Sequence, residues 1–478
     1  MAVTEGTLCR QPACESAART YPRALPIVPV RARGLTIEGA DGRRYLDCLS
    51  GAGTLPLGHN HPVVLEAIRK VLDSGAPLNV PDLETPVEDA FVTELVRTLP
   101  PGLAERARVQ ICGPAATDAV EAACALVRAA TGRTDILALT SGRQALTPGV
   151  RYSGETAENP GDARAIRGAF PPFPQDHRLP FDVSGPHGTE HAARCIRALL
   201  DDPSAGAPSP AGMLLEPVQD EDGLIPAPDA WMRAVREITT ARSIPLIVDE
   251  VQTGVGRTGA FWAVEHSGVT PDVMILSEAI GGSLPLAVVV YRDDLAGRQP
   301  GAHTGPFRGN QLAMAAGMAT LAHVRGHRLV ERAATLGSRM LSQLRGFARE
   351  FPCIREVRGR GLMIGLELVT SAASDAAAST SLGPTHDPRQ AAPELAAAVQ
   401  RECLRRGLIV GLGGRRMSVV RLLPPLTISD EQASAVLDRL SDALTAASRG
   451  STRQHLGDPT PHAHRPLHSH PDHAEQIR

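Results

Sequence analysis

The sequence predicts an α/β fold: a large, doubly wound, mostly parallel sheet followed by a smaller α+β domain. Three observations carry this expectation. From residue 61 to about 328, short apolar runs alternate with segments of helical spacing, the pattern of strands crossing over through helices on both faces of a sheet. After residue 328 the pattern changes to a long helix, two strand-like stretches and a last helix. Polar residues sit where the apolar runs stop, at Asp249 and Glu278 among others, and strand ends of such sheets are where ligands collect.

Each element has its local reason. Residues 31–51, RARGLTIEGADGRRYLDCLSG, read as two short strands around an Ala-Asp-Gly turn within an N-terminal segment of residues 1–60. HPVVLEAIRKVLDSG follows as an amphipathic helix with a glycine stop, which puts Lys70 on its polar side. VQICG leads into the helix TDAVEAACALVRAAT, ILALT into an irregular stretch, and GMLLEPVQ into the helix PDAWMRAVREITTA. PLIVDEVQTG, DVMILSE and LAVVVY then read as successive strands before the small-residue helix NQLAMAAGMATLAHV. Residues 61–328 form the expected large domain and 329–448 the small one, the latter interrupted by the low-complexity stretch TSAASDAAASTSLGPTHDPRQAAP. Residues 449–478 carry six histidines among Pro, Asp and Ser and read as a disordered tail.

With 478 residues, 42% hydrophobic and 21% charged, the chain can bury a large core, and a net charge of -3 argues against a nucleic-acid or membrane surface. It has neither an apolar signal core nor a run of membrane-spanning length, so a cytoplasmic protein is expected. Eight cysteines, at 9, 14, 48, 112, 124, 195, 353 and 403, lack the paired spacing of a zinc site or a disulfide scaffold. Of 49 basic residues only Lys70 is a lysine. Chemistry that needs a side-chain amine therefore has one candidate in the whole chain.

EPVQDEDGLIPAP, VDEVQTGVGRTG, PDVMILSEAIGGSLPLAVVVY, FRGNQLAMAAG, RGRGLMIGLEL and VVRLLPPLTIS, in this order, resemble the class III (ω-amino acid) aminotransferases, pyridoxal-phosphate (PLP) enzymes of type I fold. Within that class the chain is most similar to diaminobutyrate:2-oxoglutarate aminotransferases, from about residue 22 to 447. The resemblance implies a homodimer with its site at the subunit interface. It assigns Asp249 to the pyridine nitrogen, Gln252 to the ring hydroxyl and Arg421 to a substrate carboxylate, a task suited to a planar bidentate donor.

Other positions depart from the family pattern. Glu278 stands where SKAIGG motifs carry the catalytic lysine, and a carboxylate moves protons but forms no covalent link to the cofactor. The phosphate cup reads Ala115, Ala116 and Thr117, leaving Thr117 and a helix N-terminus as donors. Ser141 to Ala145 replaces a Gly-Ala-Tyr-His-Gly segment, so the stacking ring is gone and Arg143 is the residue offered to a π face or an anion. Tyr152 is a weak substitute among the chain's few aromatics. Pro306 stands where a threonine would reach the neighbouring subunit's phosphate, and Leu57 where a substrate-segment tyrosine would lie.

Each lost contact removes on the order of 1–3 kcal/mol of cofactor binding. The expectation is a homologue without lysine-dependent transamination, acting as scaffold or partner subunit, with PLP or pyridoxamine phosphate (PMP) bound at most noncovalently. Two alternatives stay open. One is a repurposed enzyme with Glu278 as general acid or base beside Asp249, and Arg421, Arg143 and Thr117 holding a small anionic or amino-acid-like ligand. The other is residual amino transfer to 2-oxoglutarate.

Overall fold

The computed structural model of the chain describes residues 25–139, 150–152, 185–201, 209–296, 306–370 and 390–456. The chain enters through three antiparallel strands, β1 (Pro29–Arg33), β2 (Thr36–Gly39) and β3 (Arg44–Asp47), one more than the hairpin expected. Helix α1 (Pro62–Asp73) starts on a proline and ends before Gly75, whose φ of +69° suits the stop. Helix α2 (Pro86–Val96) was not expected, although Thr85 caps it by accepting from Glu88 N at 3.1 Å and Pro86 opens it. A short helix α3 (Pro101–Ala104) follows.

The central sheet uses β4 (Ala107–Gly113), β5 (Ile136–Ala138), β6 (Val150–Tyr152), β7 (Gly212–Leu215), β10 (Leu246–Asp249), β11 (Val273–Leu276) and β12 (Ala287–Arg292), in the order β4-β12-β11-β10-β7-β5-β6. The four pairings from β11 to β6 are parallel, while β12 runs antiparallel to both neighbours. Both faces are covered, as parallel strands require. Ile247, Val273, Ile275 and Val289 pack with Ala119, Val120 and Val127 of α4 (Ala116–Thr131) on one side. Leu246, Val248, Met274 and Val288 pack with Trp231, Val235 and Ile238 of α6 (Asp229–Ala241) on the other. Between them in sequence, α5 (Gly185–Asp201) is a helix in the stretch that had no element assigned.

The ribbon β8 (Val218–Gln219) and β9 (Ile225–Pro226) leaves the sheet edge, and α7 (Gln311–Gly326) packs on α1, α2 and the turn after β11. Beyond α8 (Leu329–Glu350), strands β13 (Ile354–Arg360), β14 (Met363–Leu368), β16 (Gly411–Gly413) and β17 (Val419–Leu422) form an antiparallel sheet flanked by α9 (Pro393–Arg405) and α10 (Asp430–Leu456). The two-residue strand β15 (Leu408–Ile409) instead pairs in parallel with β3, so the N-terminal strands share a sheet with the C-terminal part of the chain. Helix α10 continues to Leu456, so the expected tail boundary at 449 falls inside a helix. Residues 457–478, and 371–389 of the low-complexity stretch, lie outside the described residues.

Candidate active site

The C-terminal edge of the central sheet gathers most of the expected site residues. Asp249 is the last residue of β10, and its Oδ1 accepts from Val251 N at 2.9 Å. In the neighbouring parallel strand Asp249 lies opposite Ile275, and Glu278 opens the 3-10 turn Glu278–Gly281 just beyond. Burial pushes the Asp249 carboxyl up to about 7, with the Glu278 and Asp220 carboxylates adding to the rise and the Val251 N–H opposing it. Glu278 is raised by burial and then by Asp220. Three carboxylates thus face one low-dielectric corner.

The backbone at Glu278 is strained. Its φ is +29°, in the left-handed region that costs a non-glycine residue about 1–3 kcal/mol. The surroundings hold it there: Ser277 Oγ donates to Leu286 O at 3.1 Å, and Ile280 N to Ser277 O at 2.8 Å. Below the turn α7 approaches so closely that a Cβ at Gly317 would lie 2.2 Å from Ile280 O.

Gln252 reaches back to the N-terminal segment, donating from Nε2 to Ala52 O at 3.0 Å, while its Oε1 is buried with no partner among the described residues. Gly53 leaves room for it, since a Cβ there would sit 2.4 Å from Oε1. Because β4 runs in the same direction as β11, the N-terminus of α4 opens on this edge too, with Thr117 exposed in its first turn. Asp118 Oδ2 accepts from Ala115 N at 3.0 Å and caps the helix.

Arg421 is on β17 with 13% of its side chain exposed. Its cross-strand partners are Gly365 and Gly411, and Gly413 leaves room for its stem, since a Cβ there would lie 2.5 Å from its Cδ. Its Nη2 pairs with Asp220, and its Nε is buried without a partner among the described residues. The guanidinium expected to take a substrate carboxylate is therefore already engaged by an internal one. Asp220 is the functional residue that sequence reasoning missed. Its signal was the run Asp220-Glu221-Asp222 in the β8–β9 turn, where Asp222 also pairs with Arg415 at 2.9 Å and Gly223 O accepts from Arg358 Nε at 2.8 Å. That turn links the central sheet to the small-domain sheet.

Arg143 lies outside the described residues, and of Tyr152 only the backbone in β6 is described. Pro306 starts a 3-10 turn, and its carbonyl accepts from Asn79 Nδ2 at 2.9 Å. Leu57 is 2% exposed and belongs to the core. Lys70 is on α1 with 75% of its side chain exposed, 2.9 Å from Glu66. Among the described residues no group of three His, Cys, Asp or Glu side chains is arranged to hold a metal, and no helix is long and apolar enough to cross a membrane.

These residues fit part of a PLP site. An enclosed carboxylate at Asp249 suits a protonated ring nitrogen, and the orphaned Gln252 Oε1 suits a ring hydroxyl. Among the described residues no lysine amine stands beside them.

The comparisons with known proteins bear on the family and the fold. The family model for class III aminotransferases matches residues 17–444. A diaminobutyrate–2-oxoglutarate aminotransferase of Rhizobium meliloti (strain 1021) is 49% identical over 442 residues, covering 92% of this chain and 92% of the relative. The enzyme of that name from Haemophilus influenzae (strain ATCC 51907 / DSM 11121 / KW20 / Rd) is 39% identical over 453 residues, covering 94% and 96%. Among solved structures, a PLP-bound amine transaminase from an uncultivated Pseudomonas species superposes with a TM-score of 0.75 at 28% identity, covering 91% of this chain and 97% of that one. The chain has the PLP-dependent aminotransferase fold and belongs to the class III aminotransferase family.

Proposed function

We propose that this chain is a homologue of the diaminobutyrate:2-oxoglutarate aminotransferases that has lost lysine-dependent transamination, with Glu278 standing at the position of the catalytic lysine. One observation carries this reading: the chain's only lysine, Lys70, projects into solvent from α1 and pairs with Glu66, while the pocket presents Glu278. PLP or PMP would be held noncovalently by Asp249, Gln252, Thr117 and the N-terminus of α4. When bound, it supplies a ring that accepts electrons from a substrate carbon. Glu278 is the acid or base, its carboxyl raised above the usual range by burial and then by Asp220. Arg421 receives the carboxylate of an amino-acid-like ligand in place of Asp220. A cytoplasmic location belongs to the same reading. So does a homodimer, supported by the exposed Leu78, Leu83 and Phe307 near the strand-like contact of Asn79 with Asn310.

A second reading, amino transfer from PMP to 2-oxoglutarate with Glu278 moving the proton, draws wider support from the comparisons. An identity of 49% along 92% of the chain is the likeness expected between proteins that share a reaction. Visible spectra with added PLP before and after borohydride, on the native chain and Glu278→Lys, test the first reading. We expect borohydride to leave cofactor covalently fixed to the denatured protein only in the variant. Cofactor fixed in this way to the native chain would overturn the proposal. Glutamate formed stoichiometrically from PMP and 2-oxoglutarate by the native chain, and lost in Glu278→Gln, would establish the second reading.

A further inference from the structure

Away from the carboxylate corner, three imidazoles meet where the start of α1 touches the end of α7. His61 is the N-cap of α1, His323 lies in the last turn of α7, and His327 is its C-cap. The His61 and His323 ring centroids are 4.7 Å apart, and the His323 and His327 rings stack at 3.8 Å. His61 Nδ1 is buried without a partner among the described residues, and the His327 ring nitrogen Nδ1 lies 3.1 Å from His323 O.

No acid in this joint is placed to welcome a second charge. The ionisable groups on the packed elements include Glu66, Arg69, Lys70 and Asp73 of α1, Arg325 of α7, Glu88, Asp89, Glu94 and the C-cap Arg97 of α2, and Arg328, Glu331 and Arg332 at the start of α8. Glu66 pairs with Lys70, Glu94 with Arg325 and Arg97, and Glu331 with Arg328. None of these carboxylates pairs with the three imidazoles. Burial, then the neighbouring histidines, hold His61 and His323 below the usual histidine range. Protonating both places like charges on rings whose centroids are 4.7 Å apart, in a half-buried seam.

The joint leads to the site from both sides. His323 is one helical turn beyond Thr320, and the Ala316–Thr320 turn of α7 supports the Glu278 turn so closely that a Cβ on Gly282 would lie 2.4 Å from Ala316 O and 2.5 Å from Thr320 Oγ1. His61 ends the segment whose Leu57 O accepts from Thr427 Oγ1 at 3.1 Å, six residues beyond Arg421. We propose that His61 and His323, with the His327 ring stacked on the latter, form an acid-sensitive joint: in acid, protonation of His61 and His323 loosens α1 from α7 and frees the turn that carries Glu278.

The sign follows from linkage. Groups held neutral in the folded state contribute stability that is full above about 6.5, the ordinary histidine pKa, and is lost as pH falls through their lowered folded values. Asp249 and Glu278, both raised, act in the opposite direction. The test is amide hydrogen exchange of the full chain at pH 7.5 and 5.5, corrected for intrinsic rates, on the native protein, His323→Gln and His327→Asn. We expect residues 278–284 and 311–326 of the native chain to lose protection roughly threefold to tenfold at the lower pH, and both variants to lose little. Equal losses in all three proteins, or no loss in those segments, would overturn the proposal. If His323→Gln does not fold, the exposed His327→Asn decides.

Discussion

At the scale of single residues, the site is governed by carboxylates that resist ionisation. Asp249 at about 7 keeps its proton when folded over a pH range where the unfolded chain has lost it. Its burial therefore weakens the fold as pH rises from about 4 to 7, and the penalty persists above. Asp249→Asn removes the ionisation and keeps an oxygen for Val251 N. Thermal melts should show it more stable than the native chain at pH 8, by on the order of 2 kcal/mol and a few degrees, with no difference near pH 4. The same substitution should weaken PMP binding at least tenfold if the ring nitrogen is held as proposed. Arg421 illustrates a different lesson at this scale. Its residue type and strand were legible in VVRLLPP, but its pairing depends on Asp220, 201 positions away, which no local pattern connects to it.

At the scale of elements, glycine placement decides how the turn after β11 is supported. Helix α7 reads as a run of small residues, and the reason is contact rather than propensity. Alanine at Gly317 would favour the helix by about 0.5–1 kcal/mol. Its Cβ would meet the Ile280 carbonyl at 2.2 Å, however, an overpacking that costs about 1–3 kcal/mol. Gly317→Ala should therefore lower the urea midpoint of unfolding, despite replacing a helix-weakening residue. An unchanged or higher midpoint would show that α7 can move away from Glu278 at little cost. The strands β7, β10, β11 and β12 were legible as apolar runs because they are buried on both faces. Helix α2 was missed because its apolar residues are not confined to one face, although Thr85 and Pro86 marked its start. Strand β15 has two residues and no local signature.

At the scale of the whole molecule, the small-domain sheet is tied to the central one by the β8–β9 turn and by Arg360, which donates to Ala227 O at 3.0 Å and pairs with Asp229 at 2.7 Å. Phe307 is 65% exposed and Leu83 67%, and both are near the Asp82–Arg308 pair. If this patch is covered by a second copy of the chain, Phe307→Arg should shift the protein from dimer to monomer in light scattering at micromolar concentration, with its secondary structure kept. A dimer that persists unchanged would place the interface elsewhere.

What the sequence determined by itself was the order of elements, the family and the inventory: one lysine, a glutamate at position 278, and an aspartate and a glutamine at the next strand end. These are local facts, because an apolar run specifies a buried strand and a residue type specifies the chemistry available. What only the tertiary structure decided was which charges meet. Asp220 reaches Arg421 across two sheets, Lys70 points away from the pocket, three histidines from the start of one helix and the end of another meet, and β15 joins β3. Such contacts follow from the packing of elements far apart along the chain, and pairing strength in a low-dielectric interior depends on distance, which spacing in sequence does not encode.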